Sequence, residues 1–596
     1  MNEGRKHIFQ IFIVLTGLVF IIKLFFIQAV DTRYRAAADS NVIMAEVDYP
    51  YRGLIYDRNA EIIVYNTPEF DLMVIPKDVS NLDTALFTSL FQITLKDFEE
   101  RMLAARRYSR VKPSVFIKQL SNQDFAGIQD YMDLFPGFFI QPRTTRGYTS
   151  PSLANALGYV SEISKNQLAR DSNRYYRQGD YIGQSGIEAY YEEVLRGKRG
   201  VRYKLRNVQG VEKGKFNDGK WDTLSIPGKS LLTTIDLNLQ AYGEKLLKGK
   251  TGSIVAIEPK TGEILAFVSG PFYDPAMLTG RKFSSNFSEL TRDSLKPLFN
   301  RPLMAMYPPG SIFKMVQSLI ALQEGVISYE TVFPCNRQLV NCHNHANPSD
   351  LFGAIKNSCN PYFHQTFRRI INQNKSPNTF IDSRIGLDTW KSYVDRFGLG
   401  KPLGVDLPSE KGGQMPSSAL YNRIYGEGSW KFSTIYSLSI GQGEMLVTPL
   451  QMANLAVIIA NKGYYYTPHM VRAVEGEEDI AYRRFETGID AKYFEFVQLA
   501  MAEAIYGTAG RAAISDIKIA GKTGTAENPH GEDHSVFMAF APYEDPKIAI
   551  SVYVENAGWG GRAAASIASL MIEQYLRGSI KRPYLEDYVL KGEFIY

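Results

Sequence analysis

Cysteine is scarce in this chain: there are three in 596 residues, alongside seven histidines and four tryptophans. A disulfide-stapled scaffold is thereby excluded, since such scaffolds are short and dense in cysteine. Charge of one sign is also lacking, with 67 Lys+Arg against 62 Asp+Glu and a net charge of +5. No basic run interleaves with aromatics as a phosphate-tracking groove would require, so nucleic acid is not an expected partner. There is no fixed-period repeat and no low-complexity tract. With 45% hydrophobic and 22% charged residues, a disordered chain driven by charge is excluded as well.

Long apolar runs are almost absent, which makes the single one informative. Ile8 to Val30 carries only Lys23 as a charge. At about 1.5 Å per residue it is long enough to cross a hydrocarbon core of about 30 Å. It reads as one retained transmembrane helix after a tail of residues 1–7, because the apolar core of a signal peptide spans only about 7–15 residues. Lys23 lies in the far half, where a lysine snorkels to the headgroups. Arg5 and Lys6 before the run, and Arg33 and Arg35 after it, leave its orientation open.

The length prior of about 150 residues per domain suggests roughly four units. Residues 31–230 read as an elongated, mixed, turn-rich region with a helical insertion at about 75–180. Within it Val47 to Val74 alternates around Asp57-Arg58-Asn59-Ala60, the pattern of a hairpin. Residues 83–132 read as helical, with Arg101, Arg106 and Arg107 as a solvated face. From Gly183 to about 200 the pattern is a short helix bracketed by glycines. The composition shifts near 225, and 231–596 reads as the main domain. It opens with Leu231-Leu-Thr-Thr-Ile-Asp236 and a helical run to Leu247. Two apolar strands about Pro259-Lys-Thr-Gly262 follow.

A serine nucleophile needs a base within hydrogen-bond reach, and a helix supplies one three residues on. Ser-x-x-Lys occurs at Ser109/Lys112, Ser311/Lys314 and Ser515/Lys518. Pro113 cuts the first short, and the third alternates like a strand, on which i and i+3 face apart. The second follows Tyr307-Pro-Pro-Gly and leads an apolar run closed by Gly325. Ser311 is therefore expected in a first helical turn, where unpaired N–H groups favour a developing oxyanion. Lys314, one turn on in an apolar wall, would lose its proton readily and serve as base. Ser358-Cys359-Asn360 supplies a hydroxyl and a carboxamide in a tight turn. Lys522-Thr523-Gly524-Thr525 is a strand carrying a cation, a close-approach glycine and two hydroxyls. That strand suits an extended peptide with a free carboxylate, docked along its edge.

These three motifs in this order resemble the set shared by penicillin-binding proteins and serine β-lactamases. Arg52-Gly53 with Asp57-Arg58-Asn59, Gly183-Gln-Ser-Gly-Ile-Glu188, Thr234-Ile-Asp236, Gly441-Gln442-Gly443 and Gly507-Thr-Ala are similar to class B penicillin-binding proteins. The stretch Asn528 to Pro542 is most similar to the elongation-type branch. The resemblance implies an α+β architecture: a single N-terminal transmembrane helix, an elongated pedestal, then a transpeptidase fold with an antiparallel sheet flanked by helices. It implies a peptidoglycan DD-transpeptidase of the inner membrane with its body in the periplasm, acting on stem peptides ending in D-Ala-D-Ala and acylated by β-lactams. Ser311 would be the nucleophile, Lys314 its base, Ser358 and Asn360 the proton relay and amide holder. Lys522, Thr523, Gly524 and Thr525 would bind the terminal carboxylate. The resemblance implies a polytopic membrane glycan polymerase as partner and no required cofactor. The alternatives are a penicillin-recognising sensor or β-lactamase of the same fold, or a scaffold.

All three cysteines fall close together, at Cys335, Cys342 and Cys359, with His343 and His345 beside the second. A Cys335–Cys342 disulfide is preferred, a structural zinc on Cys335, Cys342, His343 and His345 is the second reading, and free thiols are the third. His530 and His534 lie just beyond Lys-Thr-Gly, either lining a cleft or serving the structure.

Overall fold

The computed structural model describes residues 3–26, 43–206, 212–347 and 349–594. A helix spans Glu3–Phe25, and its apolar side chains stand in the open, Phe12 being 67% exposed. Among the described residues no helix is long and apolar enough to cross a membrane. The expected span is covered only to Phe26, and residues 27–30 lie outside the described residues.

The chain forms two compact units. The smaller comprises Met1–Arg52, Pro68–Thr144 and Arg196–Gly228. Its strands Ile43–Asp48, Gly200–Arg206 and Glu212–Lys215 make an antiparallel sheet. The helices Thr84–Leu90 and Leu95–Tyr108 begin on Asp83 and Thr94, whose side chains accept from the unpaired N–H groups of the first turn. The expected helical stretch is interrupted by a strand, Ser114–Leu120. Its apolar residues answer to an aromatic cluster in which the Phe87 ring lies 4.4 to 5.7 Å from those of Phe91, Phe98, Phe116, Phe135 and Phe138. That cluster, not helical periodicity, decides the segment.

The larger unit comprises Gly53–Thr67, Thr145–Leu195 and Lys229–Tyr596. Its centre is an antiparallel sheet of β1 (Gly252–Ile257), β2 (Ile264–Gly270), β3 (Ala520–Ala526), β4 (His534–Ala541) and β5 (Ile548–Val554), in the order β2-β1-β5-β4-β3. Register is set by pairs such as Gly252 with Gly270, Val255 with Ser551 and Lys522 with Met538. Successive residues go to opposite faces. Val255 and Ile257 join the core beneath the helix Pro449–Ala460, whereas Ile254 and Ala256 join the core under Leu237–Leu247 and Ala564–Arg577. A sheet covered on both faces needs apolar strands without alternation, which is how β1 and β2 read in the sequence.

The hairpin predicted around Asp57 is present, with Ile55 opposite Val64. Asp57 holds its turn by accepting from the N–H groups of Asn59 (2.8 Å) and Glu61 (2.9 Å). Arg58 then reaches Glu258 at 3.1 Å and Glu263 at 3.4 Å, so this short motif is fastened to the turn between β1 and β2. Glu188 is likewise buried against Arg146 at 2.6 Å.

Candidate active site

The site forms where three elements meet at the free edge of β3. The first is a tight 3-10 turn, Gly310–Phe313, that runs into α1 (Lys314–Gln323). Its approach to the sheet is close: a Cβ on Gly310 would stand 2.7 Å from the Thr525 carbonyl oxygen. On its other side, a Cβ on Gly441 would stand 2.2 Å from the Gly310 oxygen. Both glycines also have positive φ, +59° and +75°. A side chain at either position would push the turn off the strand. Ser311 is the second residue of this turn and half-buried, directly after Gly310, which lies beside the main chain of Thr525.

Lys314 is fully buried. Its ammonium donates to the Ser358 carbonyl at 2.9 Å, to Ser358 Oγ at 3.1 Å and to Asn360 Oδ1 at 2.6 Å. The Phe363 ring lies 5.6 Å away. Burial pushes this lysine down to about 7, against the pull of the nearby Cys342 and Cys359 sulfurs. A base poised near neutrality results.

Ser358 and Asn360 come from the second element. Asp350 caps the helix Leu351–Lys356, the chain turns through Ser358 with φ +53°, and Asn360 opens α2 (Asn360–Ile371). The Asn360 amide is oriented from both ends, since its Nδ2 also donates to the Asn341 carbonyl at 2.7 Å.

The third element is β3 itself, which among the described residues pairs only on its β4 side and leaves an edge available for strand addition. Lys522 is buried, with its Nζ donating to the Thr523 carbonyl at 3.0 Å. Burial, and then the charge of Lys314, hold it well below the ordinary lysine range. For both lysines the largest cause is loss of water on burial. Thr523 Oγ1 donates to Thr508 Oγ1 at 3.2 Å, which ties the strand to the Gly507-Thr-Ala segment.

All the residues singled out in the three motifs therefore converge. The other Ser-x-x-Lys copies do not join them. Ser109 ends a helix, and Ser515 lies in a turn closed by the Ile514–Ile517 bridge rather than in the expected strand. His534 is a structural residue, its Nδ1 accepting from the Asn556 N–H at 3.0 Å, while His530 is exposed.

Three contributors were not assigned a role from sequence. Gln442 Nε2 donates to the Thr525 carbonyl at 3.4 Å, and Phe363 faces the Lys314 ammonium. Tyr307 stacks on Tyr553 at 4.0 Å and donates to Glu555 at 2.6 Å, bracing the chain just before the Gly310–Phe313 turn. The Gly-Gln-Gly and Tyr-Pro-Pro-Gly patterns were the available signals.

The cysteines differ from expectation. All three are free thiols, so the preferred Cys335–Cys342 disulfide is not formed. The donors that gather are Cys335, Cys342, His345 and Cys359, all within 4.8 Å of one another. His343 is not among them and Cys359 is, because the turn at Ser358 carries the third sulfur back to the loop. The Cys342 sulfur lies 3.5 Å from His345 Nε2, and the closeness of Cys342 and Cys359 lowers the first thiol and raises the second.

Two family models match the chain: "Penicillin binding protein transpeptidase domain" over residues 252–573 and "Penicillin-binding Protein dimerisation domain" over 47–233. The chain is 30% identical to the peptidoglycan D,D-transpeptidase MrdA of Acinetobacter baumannii, over 92% of this chain and 84% of that one. It is also 30% identical to MrdA of Haemophilus influenzae, over 97% and 91%. Among solved structures, a complex of Penicillin-Binding Protein (PBP2) and MreC from Helicobacter pylori is similar with a TM-score of 0.74 and 25% identity, over 90% of this chain and all of that one. Pseudomonas aeruginosa PBP2 in complex with WCK 5153 matches with a TM-score of 0.64 and 27% identity, over 91% and 99%.

Proposed function

Because the chain belongs to the class B penicillin-binding proteins, we propose that Ser311 is the nucleophile with which it cross-links peptidoglycan. The protein is a serine-type peptidoglycan D,D-transpeptidase and a β-lactam target. Neutral Lys314 takes the Ser311 proton as Oγ attacks the carbonyl between two terminal D-alanines. The N–H groups of Ser311 and Thr525 receive the oxyanion. Ser358 Oγ, bonded to Lys314, passes the proton to the leaving amine, and D-alanine departs. Asn360 holds the substrate amide, and Lys522, Thr523 and Thr525, with Gly524 allowing close approach, take the terminal carboxylate. An amine of a neighbouring stem then resolves the acyl-enzyme. The observation that carries this reading is Lys314, fully buried and bonded to Ser358 and Asn360. Incubating the full chain in detergent with a fluorescent penicillin tests it: stable label on the peptide containing Ser311 is expected, and label lost within seconds would point to a hydrolase instead.

The same reading puts residues 8–30 in the inner membrane as one span, residues 31–230 as pedestal and 231–596 as catalytic domain, with the body in the periplasm. Its support is the helix Glu3–Phe25, whose exposed apolar side chains have no core against them. Since the similar Helicobacter pylori protein is solved with MreC, and another similar structure belongs to a peptidoglycan synthase complex, the partners belong to the elongation machinery, a polytopic glycan polymerase among them.

The chemistry requires no cofactor. A structural zinc fits Cys335, Cys342, His345 and Cys359: tetrahedral thiolates stand about 3.8 Å apart, and these donors lie within 4.8 Å. His345 Nδ1 is engaged by the Ala346 carbonyl at 2.7 Å, leaving Nε2 for a metal. Bound there, the ion would hold Cys359 and so the turn that presents Ser358 and Asn360. One zinc per chain by mass spectrometry, lost in Cys359→Ser, is the expected result; no metal in protein purified without chelator would refute it.

A further inference from the structure

α2, the start of the helix Thr379–Arg396 and the segment from Lys431 to Tyr436, which opens the 3-10 turn Tyr436–Ile440, line an open cavity of about 510 Å³. Two of these elements run on to the active site. α2 begins with Asn360, which accepts from Lys314, and the turn leads into Gly441, which packs on Gly310. Asn360, His364 and Arg368 recur every four residues and share one face of α2. At about 1.5 Å per residue, Arg368 lies about 12 Å along the axis from Asn360, the reach of roughly four residues of extended peptide.

The lining is cationic and polar. Arg368 and Lys431 border the cavity, Asn372 and Ser383 line it, and among the described residues no carboxylate does. Neither cation has an ion-pair partner among the described residues; the Lys431 ammonium sits 5.3 Å over the Phe380 ring. His364 is only 8% exposed, wedged edge-on between Phe432 and Tyr436, and its Nδ1 has no hydrogen-bond partner. A buried polar atom without a partner is costly unless a ligand supplies one.

We propose that this cavity is a carboxylate subsite for the peptidoglycan stem peptide, distinct from the Lys-Thr-Gly strand that takes the terminal carboxylate. Arg368 and Lys431 pair with a free carboxylate along the stem. The proposal rests on the transpeptidase reading and adds a substrate requirement to it: negative charge on the stem, upstream of the D-alanines.

The test uses full-length enzyme in detergent, titrated with benzylpenicillin so that rates are per competent site. Two synthetic stem peptides ending in D-Ala-D-Ala are compared by D-alanine release, one with free internal carboxylates and one with these amidated. The wild type is expected to favour the free form by about tenfold in kcat/KM, as befits one charge-assisted contact, and Arg368→Gln with Lys431→Gln is expected to bring that ratio near one. A ratio that survives the double substitution, or an equal fall on both peptides, overturns the subsite. Binding of anionic phospholipid vesicles that is lost in the double variant, without any peptide preference in the wild type, would assign the cavity to a phosphate headgroup and overturn it too. Failure of penicillin to acylate the wild type would instead overturn the transpeptidase reading, and the subsite with it.

Discussion

Ser311–Lys314 and Ser515–Lys518 have the same sequence pattern and opposite surroundings. Lys314 is fully buried, bonded to Ser358 and Asn360, and held near neutrality by loss of water. Lys518 is 44% exposed, 4.0 Å from Glu544 and 4.0 Å over the Tyr543 ring. Ser515 merely donates to neighbouring Asp516 at 3.3 Å. Lys518 pairs with a carboxylate at the surface instead of a buried serine and asparagine, so the second pattern has none of the surroundings of the first. The spacing of serine and lysine is therefore only a precondition. What turns it into chemistry is an apolar wall around the lysine and a strand edge beside the serine.

The sharpest way to break that comparison is Ser311→Ala, which is expected to lower acylation by a fluorescent penicillin on the order of 10⁴-fold or more. Ser515→Ala should label like the wild type, as read by gel fluorescence.

Next in size is the base. Lys314→Arg keeps the charge but cannot be deprotonated, and a loss of roughly 10²–10⁴-fold in acylation rate is expected. In the wild type the rate should rise about tenfold per pH unit below about 7 and level off above it, since only neutral Lys314 accepts the proton. The linked stability has a definite sign. Between about 7 and 10.5 the unfolded chain holds a proton on this lysine that the folded chain has released, so stability rises with pH across that window. A flat rate profile from pH 5 to 9 would contradict the assignment.

Gly310→Ala follows. Its Cβ would meet the Thr525 oxygen at 2.7 Å in a backbone with φ +59°. A destabilisation of about 1–3 kcal/mol and slower acylation are expected, measured by denaturant unfolding and penicillin labelling. The smallest effect belongs to Lys518→Met, within about 0.5 kcal/mol of wild type, with acylation unaltered; a large loss there would show that the two patterns are less different than their surroundings indicate.

Much of the site was legible because its parts are local. Tyr307-Pro-Pro-Gly followed by an apolar run can only open a buried helix, and β1 and β2 announce themselves as unbroken apolar runs about a turn. Less legible were features created by distant segments. Ser114–Leu120 became a strand because aromatic side chains from 87 to 138 pack around it, and no window of sequence contains that cluster. The cysteine loop departs from expectation for the same reason: an oxidising compartment favoured a Cys335–Cys342 disulfide, while the turn at Ser358 places Cys359 beside them both.

By itself the sequence determined the order of motifs, the one apolar run near its start, and the choice of Ser311 over two equally spaced serines. Tertiary structure alone decided that Lys314 and Lys522 are both fully buried, which histidine joins the thiols, and that Arg368 and Lys431 face a shared cavity. The physical reason is one of range. Turns, caps and apolar periodicity act over a few residues, whereas desolvation and charge coupling depend on what the rest of the chain packs against a side chain.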